Sequence, residues 1–128
     1  MEINYSEMLE IAKDVSKNAY APFSKFVVGA CVLTTNGNYY SGCNVENSSY
    51  GLTICAERCA IFKAVSNGEK EIQAVAIYSP NTDECYPCGA CRQVIYEFAV
   101  EGVQIITEKN GVPKIDGIDS LLPHGFKM

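Results

Sequence analysis

Hydrophobic and polar residues follow two different periods along the chain, and the changes of period divide it into elements. Over residues 4–18 apolar positions recur every three or four residues, which predicts an amphipathic helix. Residues 26–34 and 39–45 are rich in valine and aromatic side chains, and the Asn36-Gly37 pair between them is typical of a tight hairpin turn. The beginning of the chain therefore predicts one helix followed by two antiparallel strands.

The remainder of the chain predicts helices that alternate with strands. Residues 55–66 carry helix-forming residues, and residues 89–98 carry an apolar stripe at helical spacing. Compact apolar runs at residues 72–78 and 103–107 predict buried strands, and residues 111–114 predict a short fifth strand. A hairpin followed by alternating helices and strands predicts an α/β fold of three α/β/α layers, in which helices cover both faces of a mixed five-stranded sheet.

Composition and charge narrow the classes of function. A length of 128 residues suits one domain over residues 1–128. The 15 acidic and 10 basic residues give a net charge of -5, which opposes binding to nucleic acid or to an anionic membrane, and no apolar run approaches membrane-spanning length. The first residues lack the basic and apolar stretches of a secretion signal, so we expect a cytoplasmic location. A small molecule is the expected partner.

Cysteine is the residue type whose spacing suggests chemistry, and seven cysteines in such a chain favour metal binding or core packing over a disulfide framework. Cys88 and Cys91 form a C-x-x-C pair at the predicted start of one helix, and Cys55 stands at the predicted start of another. Helix N-termini stabilise thiolates, which are the form that binds zinc. Arg58 and Gln93 follow these cysteines closely enough to hydrogen-bond the sulfurs.

Spacing alone leaves three interpretations of these cysteines open. Cys85 would complete a closed site of four thiolates, which is structural and inert, and spacing by itself favours this site. A free pair of Cys88 and Cys91 would suit a dithiol redox protein. The third interpretation is a catalytic site, because Glu57 stands two residues after Cys55 and faces a different side of the helix. Such a carboxylate can lie beside the metal without ligating it and can transfer protons for a water molecule.

Six blocks of sequence, spread over nearly the whole chain, make the third interpretation specific. They are APFSKFVVGA from residue 21, GCNVEN from residue 42, SYGL from residue 49, CAER from residue 55, PCGACRQ from residue 87 and LLP from residue 121. A cysteine two residues before a glutamate, with a downstream PCxxC, is typical of zinc deaminases. With the blocks in this order, the chain resembles the small homotetrameric zinc-dependent cytidine deaminases. Tyr86 departs from the resemblance, because serine often stands before this proline.

The resemblance implies a hydrolase of pyrimidine salvage that converts cytidine and 2'-deoxycytidine to the uracil nucleosides and releases ammonia. It implies one Zn²⁺ per chain on Cys55, Cys88 and Cys91, with Glu57 as the catalytic acid and base. It also implies a homotetramer in which neighbouring subunits complete each site. The implied substrate contacts are Phe26 on the pyrimidine, Asn44 and Glu46 on the ribose hydroxyls, the Ala56 N–H on the base carbonyl, and Tyr50 and Phe126 in a neighbouring subunit's pocket.

Two other functions stay open at the level of the sequence. A deaminase of another aminopyrimidine, such as an antibiotic of the blasticidin type, would share the metal chemistry. The ribose contacts implied for Asn44 and Glu46 favour nucleosides over such an antibiotic. A zinc-stabilised binding module without enzymatic activity would have a closed metal site and would release no ammonia.

Overall fold

A computed structural model describes residues 2–128, which form one sheet flanked by helices. The strands are β1 (Gly29–Thr34), β2 (Tyr39–Cys43), β3 (Ile72–Tyr78), β4 (Ala99–Lys109) and β5 (Val112–Gly117). The helices are α1 (Tyr5–Ser16), α2 (Ala56–Ser66), α3 (Gly89–Phe98) and α4 (Ile118–Leu121), and a 3-10 turn covers Tyr50–Leu52. The strand order is β2-β1-β3-β4-β5, in which only β3 and β4 are parallel neighbours, so the predicted mixed five-stranded sheet is confirmed.

Apolar side chains on the two faces of the sheet form separate cores. On one face α1 packs against the sheet through Met8, Leu9 and Ala12. On the other face α2 and α3 pack against it, with Ile61 and Ile95 fully buried. Full burial of an aliphatic side chain of this size stabilises a fold by about 1.5–3 kcal/mol. The predicted three layers are therefore confirmed. Within residues 2–128, no helix combines the length and the apolar character that crossing a bilayer requires.

Local signals set the ends of several elements. The Asn4 side chain accepts a hydrogen bond of 3.0 Å from the Glu7 backbone N–H and so caps α1. Gly37 has a φ of +87° in the turn between β1 and β2, a left-handed conformation that glycine adopts without steric cost. Gly68 has the same φ of +87° just after α2 and ends that helix.

Tertiary contacts change the start of the first strand. β1 begins at Gly29, so the prediction of a strand at residues 26–28 is wrong. Side chains bind the backbone of this segment in place of a neighbouring strand. The Val27 N–H donates to Asn81 Oδ1 at 2.8 Å, and Asn44 accepts from the Val28 N–H at 2.9 Å. The segment is therefore held in an extended form beside the sheet.

The C-terminal strands are longer than the apolar runs indicate. β4 and β5 pair with each other from Gln104 opposite Gly117 to Lys109 opposite Val112. The backbone N–H and C=O groups of the polar residues in this hairpin are hydrogen-bonded between the two strands. These residues therefore belong to the sheet although they lack an apolar pattern. The short helix α4, which follows β5 directly, is not predicted by the sequence pattern.

A glycine in β2 brings α2 unusually close to the sheet. A Cβ atom added at Gly42 would lie 2.6 Å from the Ala60 backbone nitrogen and 2.8 Å from the Ala56 carbonyl oxygen. Real Cβ atoms do not approach backbone atoms this closely, so only glycine fits here. The close packing fixes the first turn of α2 and the cysteine that precedes it.

Candidate active site

Three cysteine sulfurs converge where two helices begin. Cys55 is the N-cap of α2, Cys88 is the N-cap of α3, and Cys91 lies buried in the first turn of α3. Their Sγ atoms all lie within 4.8 Å of one another, and the Sγ atoms of Cys55 and Cys88 are 3.7 Å apart. Tetrahedral zinc with bonds of about 2.3 Å to sulfur requires sulfur atoms about 3.8 Å apart. The donor set and its spacing therefore fit one Zn²⁺.

Hydrogen bonds favour the thiolate form that a metal requires. The Arg58 Nη2 group donates to Cys55 Sγ at 3.3 Å. Hydrogen bonds from the Cys91 thiol and from Arg58 lower the pKa of Cys55 to about 5. The pKa of Cys91 is raised, because its proton is shared with Cys55 and because the thiol is buried. Arg58 therefore supports the sulfurs as the sequence suggests.

Glu57 lies beside the three thiols and is 4% exposed in the first turn of α2. The pKa of its carboxyl group is raised to about 7, mainly by burial and to a smaller extent by the charge of Cys55. A carboxyl group that titrates near neutrality can both accept and release a proton during a reaction. A bound cation would favour the charged form of this carboxylate. The geometry suits a group that transfers protons without ligating the metal.

These groups open into a cleft of about 310 Å³, which falls in the size range of small-molecule sites. The cleft contains seven of the predicted site residues, namely Phe26, Asn44, Glu46, Cys55, Ala56, Glu57 and Cys88. Six further residues line it that the sequence did not single out for this purpose, namely Ser24, Val28, Thr53, Ile54, Cys85 and Tyr86. Ser24, Val28 and Ile54 lie within or next to the sequence blocks of the resemblance, and that proximity is the signal that could have identified them.

Asn44 and Glu46 are already hydrogen-bonded within the chain. Asn44 donates to the Phe26 carbonyl at 2.7 Å and accepts from Val28, so it shapes the wall that carries Phe26. Glu46 accepts hydrogen bonds from the Phe23 N–H at 2.9 Å and the Ser24 N–H at 3.1 Å, and from the Ser24 hydroxyl. The hydrogen bond from the Ser24 hydroxyl is the main cause of a lowered pKa of Glu46. Their contacts with a ribose stay predictions.

Five predicted residues do not line the cleft: Cys91 and Arg58 belong to the sulfur cluster and its hydrogen bonds, and three others lie elsewhere in residues 2–128. Tyr50 is 75% exposed, and its ring meets the Phe23 ring edge-on at 5.7 Å. Phe126 is 69% exposed. The Gln93 side chain donates to the Phe126 carbonyl at 3.1 Å, so its amide is directed to the C-terminal segment and not to the sulfurs. Both aromatic rings are exposed, and their contact with the pocket of a neighbouring chain stays a prediction.

Cys85 does not belong to the sulfur cluster. The group of potential ligands found in residues 2–128 contains Cys55, Cys88 and Cys91 and omits Cys85. The Cys85 thiol is buried in the core that lies under the cleft, and burial raises its pKa to about 12. The closed site of four thiolates is therefore not the arrangement that the chain adopts, and the position next to Glu57 is left free for a water molecule or a substrate.

Comparison with known proteins identifies the family. The model described as the cytidine and deoxycytidylate deaminase zinc-binding region matches residues 2–107. A cytidine deaminase from Sporosarcina psychrophila is 41% identical over 125 residues, which cover 97% of this chain and 92% of that protein. A crystal structure of cytidine deaminase from Burkholderia pseudomallei is similar with a TM-score of 0.88 at 38% identity, and covers 97% of this chain and 100% of that chain.

A more distant relative has a different substrate in its name. A blasticidin-S deaminase from Bacillus cereus is 34% identical over 125 residues, which cover 91% of this chain and 88% of that protein. The cytidine deaminases and this relative are named for one reaction type, deamination. Together with the three thiols and the buried carboxylate, the comparisons establish that the chain belongs to the zinc-binding cytidine and deoxycytidylate deaminase family.

Proposed function

We propose that this chain, as one catalytic domain over residues 1–128, hydrolyses cytidine and 2'-deoxycytidine to uridine and 2'-deoxyuridine with release of ammonia. The observation that carries the proposal is the meeting of Glu57 with the thiols of Cys55, Cys88 and Cys91 at one cleft of nucleoside size. The relatives named as cytidine deaminases support the choice of substrate.

Zinc, when bound to the three sulfurs, supplies a Lewis acid that lowers the pKa of a water molecule towards neutrality. Glu57 accepts a proton from the attacking water and gives it to N3 of the cytosine ring while the oxygen adds to C4. Glu57 then takes the proton of the new C4 hydroxyl and delivers it to the amino group, so that the C4–N bond breaks, ammonia leaves and the C4 carbonyl forms. Its burial supports this role, because a carboxyl group with a pKa near 7 can take up and release protons in turn.

The remaining lining residues orient the nucleoside. Phe26 is 38% exposed at the cleft and offers an aromatic surface to the pyrimidine. The Ala56 N–H lies at the unpaired N-terminus of α2 and donates to the base carbonyl. Asn44 and Glu46 bind the ribose hydroxyls. Glu46 can do so while it keeps its hydrogen bonds to the loop, because a carboxylate has about four lone-pair sites.

A homotetramer is the assembly that we propose. Tyr50 and Phe126 are exposed aromatic residues, and Tyr50 contacts the exposed ring of Phe23, so these two rings form a continuous apolar surface of the kind that marks an interaction site. In a tetramer Tyr50 and Phe126 would cover a neighbouring chain's cleft. The cytoplasm is the proposed location, since none of the seven cysteines, all of which lie within residues 2–128, forms a disulfide, as is usual in a reducing compartment.

Deamination of a blasticidin-type antibiotic is the second candidate, because of the relative from Bacillus cereus. Asn44 and Glu46 at the cleft favour nucleosides. The test is to measure zinc content together with ammonia release from cytidine, 2'-deoxycytidine and blasticidin S. We expect one zinc per chain and ammonia from both nucleosides. Ammonia from the antibiotic alone, or from none of the three, would remove the proposal.

A further inference from the structure

The loop before α3 forms one wall of the cleft, and its residue Tyr86 is held in an unusual way. Tyr86 and Cys85 line the cleft, and Pro87, which is fully buried, connects Tyr86 to the candidate ligand Cys88. In the sequence, Tyr86 stands out only as a departure from the pattern of the resemblance. Tyr86 takes no part in the proposed reaction steps.

Charged side chains fix the Tyr86 phenol from outside the cleft. The Tyr86 hydroxyl donates to Glu84 Oε2 at 2.9 Å, and Lys114 Nζ donates to the Tyr86 hydroxyl. The same ammonium lies 5.0 Å from the centre of the Tyr86 ring and 3.3 Å from Glu84 Oε2. Lys109 pairs with the other oxygen of Glu84 at 3.1 Å. A tyrosine ring whose hydroxyl is held by two charged side chains has little freedom to move aside.

The backbone around Glu84 strengthens this arrangement. Glu84 has a left-handed φ of +50°, and its N–H donates to the Glu108 carbonyl at 3.0 Å. The neighbouring Asp83 carboxylate accepts from the Asn110 N–H at 3.1 Å. The loop is thus attached to the β4–β5 hairpin at several points. A wall that is attached to the sheet cannot open readily to admit a larger ligand.

The loop of Tyr86 lies beside one particular edge of the base when the nucleoside is oriented as the proposed function requires. This step therefore rests on the proposed function. The cleft is built from the start of α2, the segments that contain Phe26 and Asn44, and the loop that contains Tyr86. In the proposed orientation Ala56 and Glu57 of α2 contact the base carbonyl and N3. The opposite edge of a cytosine ring carries C5 and C6. C5 is bonded to the reacting C4, which lies beside the metal, and the loop of Tyr86 leads through Pro87 to the candidate ligand Cys88, so this loop is the lining segment that we assign to the C5 edge.

We propose that Tyr86, held by Glu84 and Lys114, is a specificity-determining residue that disfavours pyrimidine nucleosides with a substituent on C5. The fixed ring limits the depth of the cleft next to the reacting carbon. A methyl group on C5 would have to displace the ring and break its hydrogen bonds. Glu84 and Lys114 are positioning residues, which act through Tyr86.

The test compares kcat/KM for 2'-deoxycytidine with kcat/KM for 5-methyl-2'-deoxycytidine in the zinc-loaded protein. We expect the wild type to prefer the unsubstituted nucleoside by about tenfold or more, the usual range for one extra methyl group against a fixed wall. In Tyr86→Ser this ratio should fall towards one, because the ring is gone. Serine suits the position, since it often stands there in the family.

Variants of Lys114 distinguish its role in positioning the Tyr86 ring from a non-specific loss of structure. Lys114→Met should lower the ratio by a few fold, and Lys114→Arg should restore it, because arginine keeps a charged donor at the Tyr86 hydroxyl. Lys13→Met is the matched control, since Lys13 also lies near a tyrosine, 5.3 Å from the centre of the Tyr78 ring, and pairs with a glutamate, but on the α1 side of the sheet. It should leave the ratio unchanged.

Inhibition by 2'-deoxyuridine and by thymidine, which carries the same methyl group, provides a second measurement without turnover. The preference for 2'-deoxyuridine should fall in Tyr86→Ser in parallel with the kinetic ratio. Equal use of both substrates by the wild type, or an unchanged ratio in Tyr86→Ser, would overturn the inference alone. A wild type that binds zinc and releases no ammonia from 2'-deoxycytidine would instead overturn the proposed function on which the inference rests.

Discussion

The metal side of the cleft and the side that we propose binds the sugar, called the sugar side below, are built in contrasting ways. On the metal side, Cys55 and Cys88 sit at helix N-termini and Glu57 is almost fully buried, so helix ends and desolvation set the chemistry. On the sugar side, Asn44 and Glu46 already bind their own backbone neighbours. On the metal side, the reaction depends on the placement of a few groups. On the sugar side, the side chains that would bind the substrate also hold the backbone of the surrounding segments. Substitutions on the two sides should therefore impair different properties, namely zinc content or kcat on the metal side and KM on the sugar side.

Removal of one sulfur should have the largest effect. Cys88→Ala leaves two thiolates at a site that needs three, so the purified protein should lose its zinc on dialysis and all measurable activity. Metal analysis of the dialysed protein measures this. Cys85→Ala is the matched control, because Cys85 lines the same cleft outside the sulfur cluster, and it should retain its zinc. A full zinc content in Cys88→Ala would show that the ligand set is wrong.

Loss of the proton-transferring group should separate chemistry from metal binding. Glu57→Gln keeps the shape of the side chain and removes its titration, so kcat for cytidine should fall by about 10³-fold or more. Zinc content and the far-ultraviolet circular dichroism spectrum should match those of the wild type. If the variant keeps near-normal turnover, Glu57 does not transfer the protons.

A substitution on the sugar side should act on KM more than on kcat. Glu46→Gln removes the charge that we propose binds a ribose hydroxyl, while one oxygen can still accept from the loop, so KM for cytidine should rise by roughly tenfold. Zinc content should not change. Glu71→Gln is the control, because Glu71 accepts from Thr35 away from the cleft. A fall in kcat with an unchanged KM would place Glu46 on the metal side of the comparison.

The smallest effect should come from packing behind the metal side. Gly42→Ala places a methyl group against the backbone of α2 and should lower the free energy of unfolding by about 1–3 kcal/mol. Urea unfolding of the zinc-loaded protein measures the change. Gly51→Ala is the control, since no atom lies within 4 Å of an added Cβ there. Equal stability of the two variants would mean that the close approach of α2 is not required.

Sequence patterns correctly predicted the elements whose bounds depend on residues adjacent in the chain. The start of α3 after Cys88 and the bounds of β3 follow from residues next to one another in the chain, and the structure confirms them. Helix N-termini and cysteine spacing indicated a metal site but did not exclude Cys85, and it was the resemblance that implied Cys55, Cys88 and Cys91 as the three ligands.

The rest depends on contacts between residues far apart in the chain. The hydrogen bond from the Val27 N–H to Asn81, which replaces a strand, spans 54 positions. The pair of Glu84 and Lys114, 30 positions apart, forms only once the β4–β5 hairpin exists. Gln93 likewise finds its partner in the C-terminal segment. A pattern of single residues carries no information on such pairs.

X-ray absorption spectroscopy of the zinc-loaded protein tests the central claim most directly, because it counts the atoms bound to the metal. We predict three sulfur ligands at about 2.3 Å and one lighter ligand, oxygen or nitrogen, at about 2.0 Å. This result would leave a position at the metal where Glu57 can serve a water molecule. Four sulfur ligands, or a protein without zinc, would contradict the account.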